Sequence, residues 1–217
     1  LCTSLSNITL PHTLEDLGEE VFLQTAWMEQ QTGSWIVLSG ILLKYRGNRS
    51  KIEIPENVCV ISNGFLENPA SVNEITLPAQ MEVISKGAFQ GCTSLRKVVL
   101  PEHLTKIGIG AFQDCTALQT MVLPDSVTEL GEDAFLGCTS LQKLVLSKNL
   151  KCIPQRAFYQ CTSLNEIVIP SGVERIESQA FVQCSSLYAL SLPETVSYVG
   201  QNNFNGDTAL LSLTVYN

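Results

Sequence analysis

The chain has 217 residues, of which 45% are hydrophobic and 16% are charged, and its 21 acidic against 13 basic residues give a net charge of −8. This composition is sufficient for a hydrophobic core and excludes a disordered chain, while the acidic balance argues against nucleic acid or an anionic membrane as partner. No stretch reaches the roughly 18–20 apolar residues that a membrane span requires, so we expect no membrane-spanning segment in this sequence.

Residues 1–22 are predicted to form one unit of a repeat. The segment CTSLSNITLP at residues 2–11 matches CTSLRKVVLP at residues 92–101, and the unit closes at Val21-Phe22. The chain therefore opens inside a repeat and shows no signal peptide, so we expect it to be a fragment of a larger protein.

Residues 23–50 interrupt the repeat and contain both tryptophans, Trp27 and Trp35. Residues 35–38 and 41–45 are predicted to form a β-hairpin around the turn at Ser39-Gly40. The aromatic rings of this insert are expected to pack the hairpin against the rest of the fold, because aromatic side chains bury a large area.

Residues 51–217 repeat with a period of 23 residues, which is the strongest signal in the sequence. A phenylalanine, usually after alanine, recurs at Phe89, Phe112, Phe135, Phe158, Phe181 and Phe204. A cysteine follows three residues later at Cys92, Cys115, Cys138, Cys161 and Cys184, and Asp207 takes the sixth place. Prolines also recur in register, and Ser147 is the only gap. Repetition at a fixed period predicts a solenoid that spans residues 1–217 as one domain.

One unit, residues 95–115, illustrates the predicted local structure. Leu95, Val98 and Leu100 are expected to point inward from a short strand. A second extended piece is predicted at residues 104–107, and residues 110–115 are predicted to form a helical or 3-10 turn. Strands of successive units would pair in parallel at a spacing of about 4.8 Å.

The unit AFxxCTSLxxVxLPxxVxxIGxx resembles the BspA-like leucine-rich repeat of bacterial surface proteins, and residues 25–58 look like the Trp–hairpin–Tyr-x-Gly insert of that family. The resemblance implies a right-handed leucine-rich-repeat-type solenoid, α/β in class and dominated by β-structure. It also implies a secreted protein or one attached to the bacterial cell surface. Members of such a family are usually assigned a role in adhesion or have no assigned role, and the resemblance offers no catalytic residues to transfer.

The outward face of the first strand in each unit is the predicted binding surface. One column consists of the valines Val99, Val122, Val145 and Val168. A flanking column consists of Arg96, Gln119, Gln142, Asn165 and Tyr188. A valine row on a solvated sheet face reflects either β-propensity or a stripe that binds a partner. We expect a non-catalytic interaction module that adheres through these nine residues to a protein or glycan of a host or bacterial surface.

Other functions remain open at this point. The segment is alternatively a passive spacer that presents another domain, which a charged and featureless surface would favour. A carbohydrate-binding module would expose Trp27, Trp35, Tyr45 or Tyr188 as flat platforms for a sugar. An enzyme would need a pocket, and a tightly filled solenoid is expected to offer none.

The cysteines and histidines are not expected to form reactive or metal sites. Parallel side chains on stacked turns do not give the torsion of about 90° that a disulfide needs, so the cysteine ladder is predicted to be buried free thiols. Cys59 and Cys152 fall in outward columns and are expected to be exposed. His12 and His103 are predicted to lie on the order of 20 Å apart, too far to share a metal. No metal or cofactor is therefore expected.

Overall fold

The structure is a computed structural model that describes residues 3–11, 14, 17 and 21–216. His12, for which a prediction was made above, lies outside these residues, as does much of the predicted end of the first repeat. The chain within the described ranges forms a β-solenoid of short strands with very little helix, as the sequence predicts for its fold class.

The described strands are short because each turn of the solenoid contributes only two to five residues to a sheet. In chain order they are β1 Trp35–Leu38, β2 Ile41–Tyr45, β3 Lys51–Glu53, β4 Val60–Ile61, β5 Glu74–Thr76, β6 Val83–Ile84, β7 Lys97–Val99, β8 Lys106–Ile107, β9 Thr120–Val122, β10 Glu129–Leu130, β11 Lys143–Val145, β12 Cys152–Ile153, β13 Glu166–Ile167, β14 Arg175–Ile176, β15 Ala189–Pro193, β16 Tyr198–Val199 and β17 Ser212–Tyr216. Two single turns of helix accompany them, α1 at Ala26–Glu29 and a 3-10 turn at Pro69–Ser71.

The strands stack in two columns along the solenoid. The first column contains the ladders β3-β5-β7, β9-β11-β13 and β15-β17, and the second contains β6-β8-β10 and β12-β14-β16, all of them parallel. The register equals the sequence period, so that Lys143 pairs with Thr120 and Leu144 with Met121. Equivalent positions of successive repeats therefore lie side by side, which turns a sequence repeat into columns of side chains.

The core is a continuous stack of repeated apolar side chains. The rings of Phe89, Phe112, Phe135, Phe158, Phe181 and Phe204 follow one another at centroid separations of 5.2–6.2 Å. The first five are completely buried, together with the leucines Leu95, Leu118, Leu141, Leu164 and Leu187. One repeat has too little apolar area for a core of its own, so neighbouring repeats supply the other half of each contact.

The predicted helical or 3-10 turn of each repeat takes the form of separate hydrogen-bonded turns, such as Gln113 N–H to Gly110 C=O, and not of a continuous helix. Gly110 and Asp114 flank the Phe112 segment with positive φ angles of 59° and 57°, and a left-handed residue ends any helical run. Moreover, Phe112 N–H donates to Ala134 C=O of the next repeat at 2.8 Å. Backbone donors that bind the neighbouring repeat are not available to a helix.

The predicted hairpin at residues 35–45 is confirmed. β1 and β2 pair antiparallel, and the two-residue turn has positive φ at both Ser39 (51°) and Gly40 (80°), as a type I′ turn requires. β2 also pairs in parallel with β4, so the hairpin extends the second strand column. The ring of Trp35 lies 4.2 Å from that of Tyr45, which joins the two ends of the hairpin.

Candidate partner-binding surface

The predicted valine column forms an exposed stripe on the first strand column. Val122 and Val145 are direct partners in the ladder, while Val99 pairs with Thr76 and Val168 with Ser191. The exposed fractions of the side chains are 39% for Val99, 65% for Val122, 41% for Val145 and 62% for Val168. The inward neighbours Met121 and Leu144 are almost completely buried, so the alternation of a half-buried strand is present.

The flanking column is exposed as well. It lies three residues before each of the four valines and before Ser191, and it consists of Arg96, Gln119, Gln142, Asn165 and Tyr188. Arg96 N–H donates to Asn73 C=O of the preceding repeat at 2.8 Å, and Gln142 N–H donates in the same way to Gln119 C=O at 2.9 Å. These bonds keep the column in register. All nine predicted residues are thus displayed together on the surface that we call the strand face.

Ion pairs occupy the beginning of the strand face. The Glu74 carboxylate accepts from Lys51 Nζ at 2.8 Å and from Lys97 Nζ at 3.1 Å, one lysine on each neighbouring repeat. The hydrogen bonds from Lys51 and Lys97 hold the pKa of Glu74 below its usual value. The face is therefore polar at residues 51–97 and becomes apolar only along the valine stripe.

A shallow groove interrupts the stripe between Val145 and Val168, and sequence reasoning did not find it. Leu77 N–H donates to Val99 C=O at 3.1 Å and Leu123 N–H to Val145 C=O at 2.9 Å. Among the backbone hydrogen bonds of the described chain, no equivalent bond joins Leu146 to Val168, and none joins Leu100 to Val122. The groove between Val145 and Val168 has a volume of about 230 Å³ and is lined by Lys143, Leu144, Val145, Leu146, Lys148, Glu166, Ile167, Val168 and Pro170.

The one sequence signal near this groove is the gap in the proline register. Ser147 replaces the repeated proline, is completely buried, and donates its hydroxyl to Asp125 C=O at 3.2 Å. Lys148 beside it forms an ion pair with Asp125, and the hydrogen bond from Lys148 lowers the pKa of that carboxyl group. The rim of the groove therefore carries charge, whereas its floor is apolar.

A second concavity contradicts the expectation that this fold offers no pocket. A cavity of about 620 Å³ lies between the hairpin insert and the outward side of β3 and β5. Its lining residues are Ser34, Trp35, Tyr45, Gly47, Asn48, Arg49, Lys51, Ile52, Glu53, Glu74 and Thr76. It lies outside the packed stack, where reasoning from one repeat unit could not place it.

The cysteine ladder is buried and reduced, as predicted. Cys92, Cys115, Cys138, Cys161 and Cys184 are buried free thiols. Four of them donate to a phenylalanine carbonyl of the preceding repeat, for example Cys115 Sγ to Phe89 O at 3.1 Å. Burial raises the pKa of Cys92 to about 12 and that of Cys138 well above its usual value. Buried thiols of this kind are poor nucleophiles.

The remaining candidate residues have surface positions. Cys59 is exposed, and Cys152 is partly exposed with a pKa that burial raises. His103 is exposed in a turn. Within the described residues, no group of three or more metal-ligating side chains comes together, and no helix is long and apolar enough to cross a membrane.

The aromatic residues of the insert are less exposed than the open platforms expected for a carbohydrate-binding module. Tyr45 is only 3% exposed, and Trp27 and Trp35 are partly buried, with Trp27 against the ring of Phe22. Tyr188 on the strand face, 54% exposed, is the one candidate among the four with an open ring.

Comparison with known proteins identifies relatives of this chain. The sequence profile of the BspA type leucine-rich repeat region matches residues 1–37, 42–128 and 105–217 in 6 copies. A solved structure of a leucine-rich repeat protein from T. pallidum is 31% identical, covers 79% of this chain and 82% of that one, and superposes with a TM-score of 0.74. The search of curated proteins finds no match.

Two more distant solved structures share the fold. A leucine-rich cell surface protein from Faecalibacterium prausnitzii is 22% identical with a TM-score of 0.55, and the match covers 77% of this chain and 60% of that one. The pneumococcal vaccine antigen PcpA is 21% identical with a TM-score of 0.51, covering 83% of this chain and 47% of that one. This chain therefore spans about half to two thirds of the length of these two proteins.

Proposed function

We propose, because this chain belongs to the BspA type leucine-rich repeat family, that it is a non-catalytic module of a bacterial cell-surface protein whose strand face binds a protein partner. The observation that carries the proposal is the exposed stripe of Val99, Val122, Val145 and Val168. Solenoids use repeated surfaces of this kind for partners, and apolar patches on otherwise polar surfaces mark interaction sites.

The rigidity of the strand face supports this function. Val99, Val122 and Val145 belong to strands of a ladder, as in the pair Val122–Val145, and Val168 forms a single bridge to Ser191. A side chain held on such a lattice loses little conformational entropy when a partner binds, which leaves more of the contact energy for affinity. The apolar groove between Val145 and Val168 adds a concave contact of the kind that an anchor side chain fills.

The same stripe disfavours the two alternative roles. A passive spacer has no need for four exposed valines in register, and its surface would be uniformly polar. A glycan-binding strand face would require several open aromatic rings, and of the four candidates only Tyr188 is exposed there. The mixed amide and charged column beside the valines instead suits the polar rim of a protein interface.

The test is a binding screen of the folded protein against immobilised extracellular-matrix proteins, serum proteins and bacterial surface extracts at physiological salt. We expect saturable binding to a protein, and we expect the variant Val122→Lys plus Val145→Lys to lose it. The matched control is Thr105→Lys plus Thr128→Lys, which adds the same charge at exposed positions beside the second strand column. Equal loss in both variants, or binding that survives Val122→Lys plus Val145→Lys, contradicts the proposal.

A further inference from the structure

The cavity beside the hairpin insert lies at the beginning of the strand face, where its lining residue Thr76 pairs with Val99 of the valine stripe. Trp35 and Tyr45 at the ends of the hairpin form one wall, and the outward side of β3 and β5 forms the opposite one. The loop at residues 47–50 lies between the two. The volume of the cavity, about 620 Å³, falls within the range of about 300–1,000 Å³ that is usual for small-molecule sites.

Backbone hydrogen bonds fix both walls. Tyr45 N–H donates to Phe65 C=O at 2.6 Å, and Tyr45 C=O accepts from Glu67 N–H at 3.1 Å. Ser50 C=O, at the end of the loop, accepts from the N–H groups of Asn73 and Glu74 at 2.8 and 3.0 Å. A site held in this way is formed before a ligand arrives, so little ordering is needed on binding.

The polar groups of the cavity mix hydrogen-bond donors with acceptors at zero net charge. Two cations, Arg49 and Lys51, are balanced by two carboxylates, Glu53 and Glu74. Lys51 is already paired with Glu74 at 2.8 Å. Arg49 and Glu53 are exposed, and the hydrogen bonds and ion pairs of the described chain give neither of them a partner. These two side chains are therefore available to a ligand.

We propose that this cavity binds a neutral mono- or disaccharide, with the partly exposed ring of Trp35, which packs on the buried ring of Tyr45, against the apolar face of a sugar ring and with Arg49 and Glu53 on its hydroxyl groups. A hydroxyl group both donates and accepts, so it pairs with a guanidinium on one side and a carboxylate on the other. A balanced site of this kind offers no net attraction to an anion or a cation, whereas the aromatic wall offers apolar area to C–H groups. The proposal does not depend on what the strand face binds.

Tryptophan fluorescence gives a direct readout, because the chain contains only Trp27 and Trp35. In the variant Trp27→Phe, the only indole lines the cavity. We expect its emission to change saturably on titration with members of a panel of neutral hexoses, N-acetylhexosamines and their disaccharides. Glycine, glutamate and short peptides serve as probes for a zwitterionic ligand in place of a sugar.

The decisive comparison is between two charge-neutral double variants in the Trp27→Phe background. Arg49→Ala plus Glu53→Gln removes the free donor and acceptor of the cavity and should weaken sugar binding by about tenfold or more. Lys151→Ala plus Glu174→Gln removes an exposed pair elsewhere and should leave binding unchanged. Both variants should keep the parent circular dichroism, because all four side chains are exposed.

Three results would overturn the proposal. The first is a folded protein whose Trp35 emission responds to no sugar of the panel. The second is a response to amino acids or peptides without one to sugars, which would assign the cavity to a zwitterion. The third is sugar binding that both double variants retain equally, which would place the sugar elsewhere on the molecule.

Discussion

The interior of the solenoid and its strand face belong to the same repeats but differ in how much their residues vary from one repeat to the next. In the interior, each repeat presents the same phenylalanine, cysteine and leucine, from Phe89 to Phe181 without a substitution. On the face, the flanking column changes from Arg96 to Gln119 and finally to Tyr188. Stacking constrains the interior because each ring must match its neighbours in size, whereas the face is free to differ from one repeat to the next.

The largest difference between the two regions is expected in thiol reactivity. Cys59 on the surface should react with a thiol reagent in the native state, and the partly exposed Cys152 more slowly. The five ladder thiols should react only when the core opens, at least about a thousandfold more slowly if that opening requires 5 kcal/mol or more. Time-resolved labelling followed by peptide mass spectrometry measures these rates. Comparable rates at Cys59 and Cys138 would show that the ladder is not closed.

Loss of one ring should be the most damaging single substitution. Phe135→Ala removes a completely buried ring that lies 5.3 Å from Phe112 and 6.0 Å from Phe158, so it should lower the free energy of unfolding by about 3–5 kcal/mol. Denaturant titration measures the change. A variant as stable as the parent would contradict the stacked core.

A smaller effect on stability is expected at the last repeat, where Asp207 takes the place of the cysteine. Its Oδ1 accepts from Cys184 N–H at 2.8 Å, its Oδ2 has no hydrogen-bond partner in the described structure, and burial raises its pKa to about 6. Because the folded state then favours the protonated acid, this residue contributes stability below pH 4 that is lost as the pH rises through about 6.

Asp207→Asn tests this linkage, since an amide retains the acceptor without the buried charge. We expect the variant to be more stable than the parent at pH 7, by on the order of 1–2 kcal/mol. The advantage should shrink towards pH 4, which thermal unfolding at a series of pH values would show. A stability difference that does not change between pH 4 and pH 7 would refute the assignment.

The smallest effect on stability is expected on the face. Val122→Lys plus Val145→Lys replaces exposed side chains, so each substitution should change the free energy of unfolding by no more than about 0.5 kcal/mol. The same variant is expected to lose partner binding. A large loss of stability would instead mean that the valine stripe serves the fold.

The sequence was sufficient to predict the columns but not the shape between them. A period of 23 residues fixes which side chains share a column, so the buried Phe135 and the exposed Val122 could both be assigned in advance. The conformation of the turn after the second strand could not be assigned in advance. Left-handed residues there are non-glycine in later repeats, as at Arg156 and Gln179, and give no signal in the sequence.

The two concave sites escaped prediction for a different reason. The groove lies between two neighbouring repeats, with lining residues from 143–148 and 166–170. The cavity depends on how the hairpin docks, which brings Trp35 close to β5 although 38 residues separate Trp35 from the start of that strand. Neither property belongs to one repeat unit, so reading one unit at a time cannot reveal it.

The backbone hydrogen bonds between the turn segments of successive repeats all point in one direction along the solenoid. Across each interface the backbone bonds between these segments point the same way, from Phe89 N–H to Ala111 C=O, from Phe112 to Ala134 and from Phe135 to Ala157. Within these segments the peptide dipoles add in one direction, as they do in an α-helix, with the positive side towards later repeats. The backbone bonds beside the strands, such as Arg96 N–H to Asn73 C=O and Gly108 N–H to Ile84 C=O, point the other way. A repeat can therefore extend the stack only in one orientation, because a reversed unit would set donor against donor.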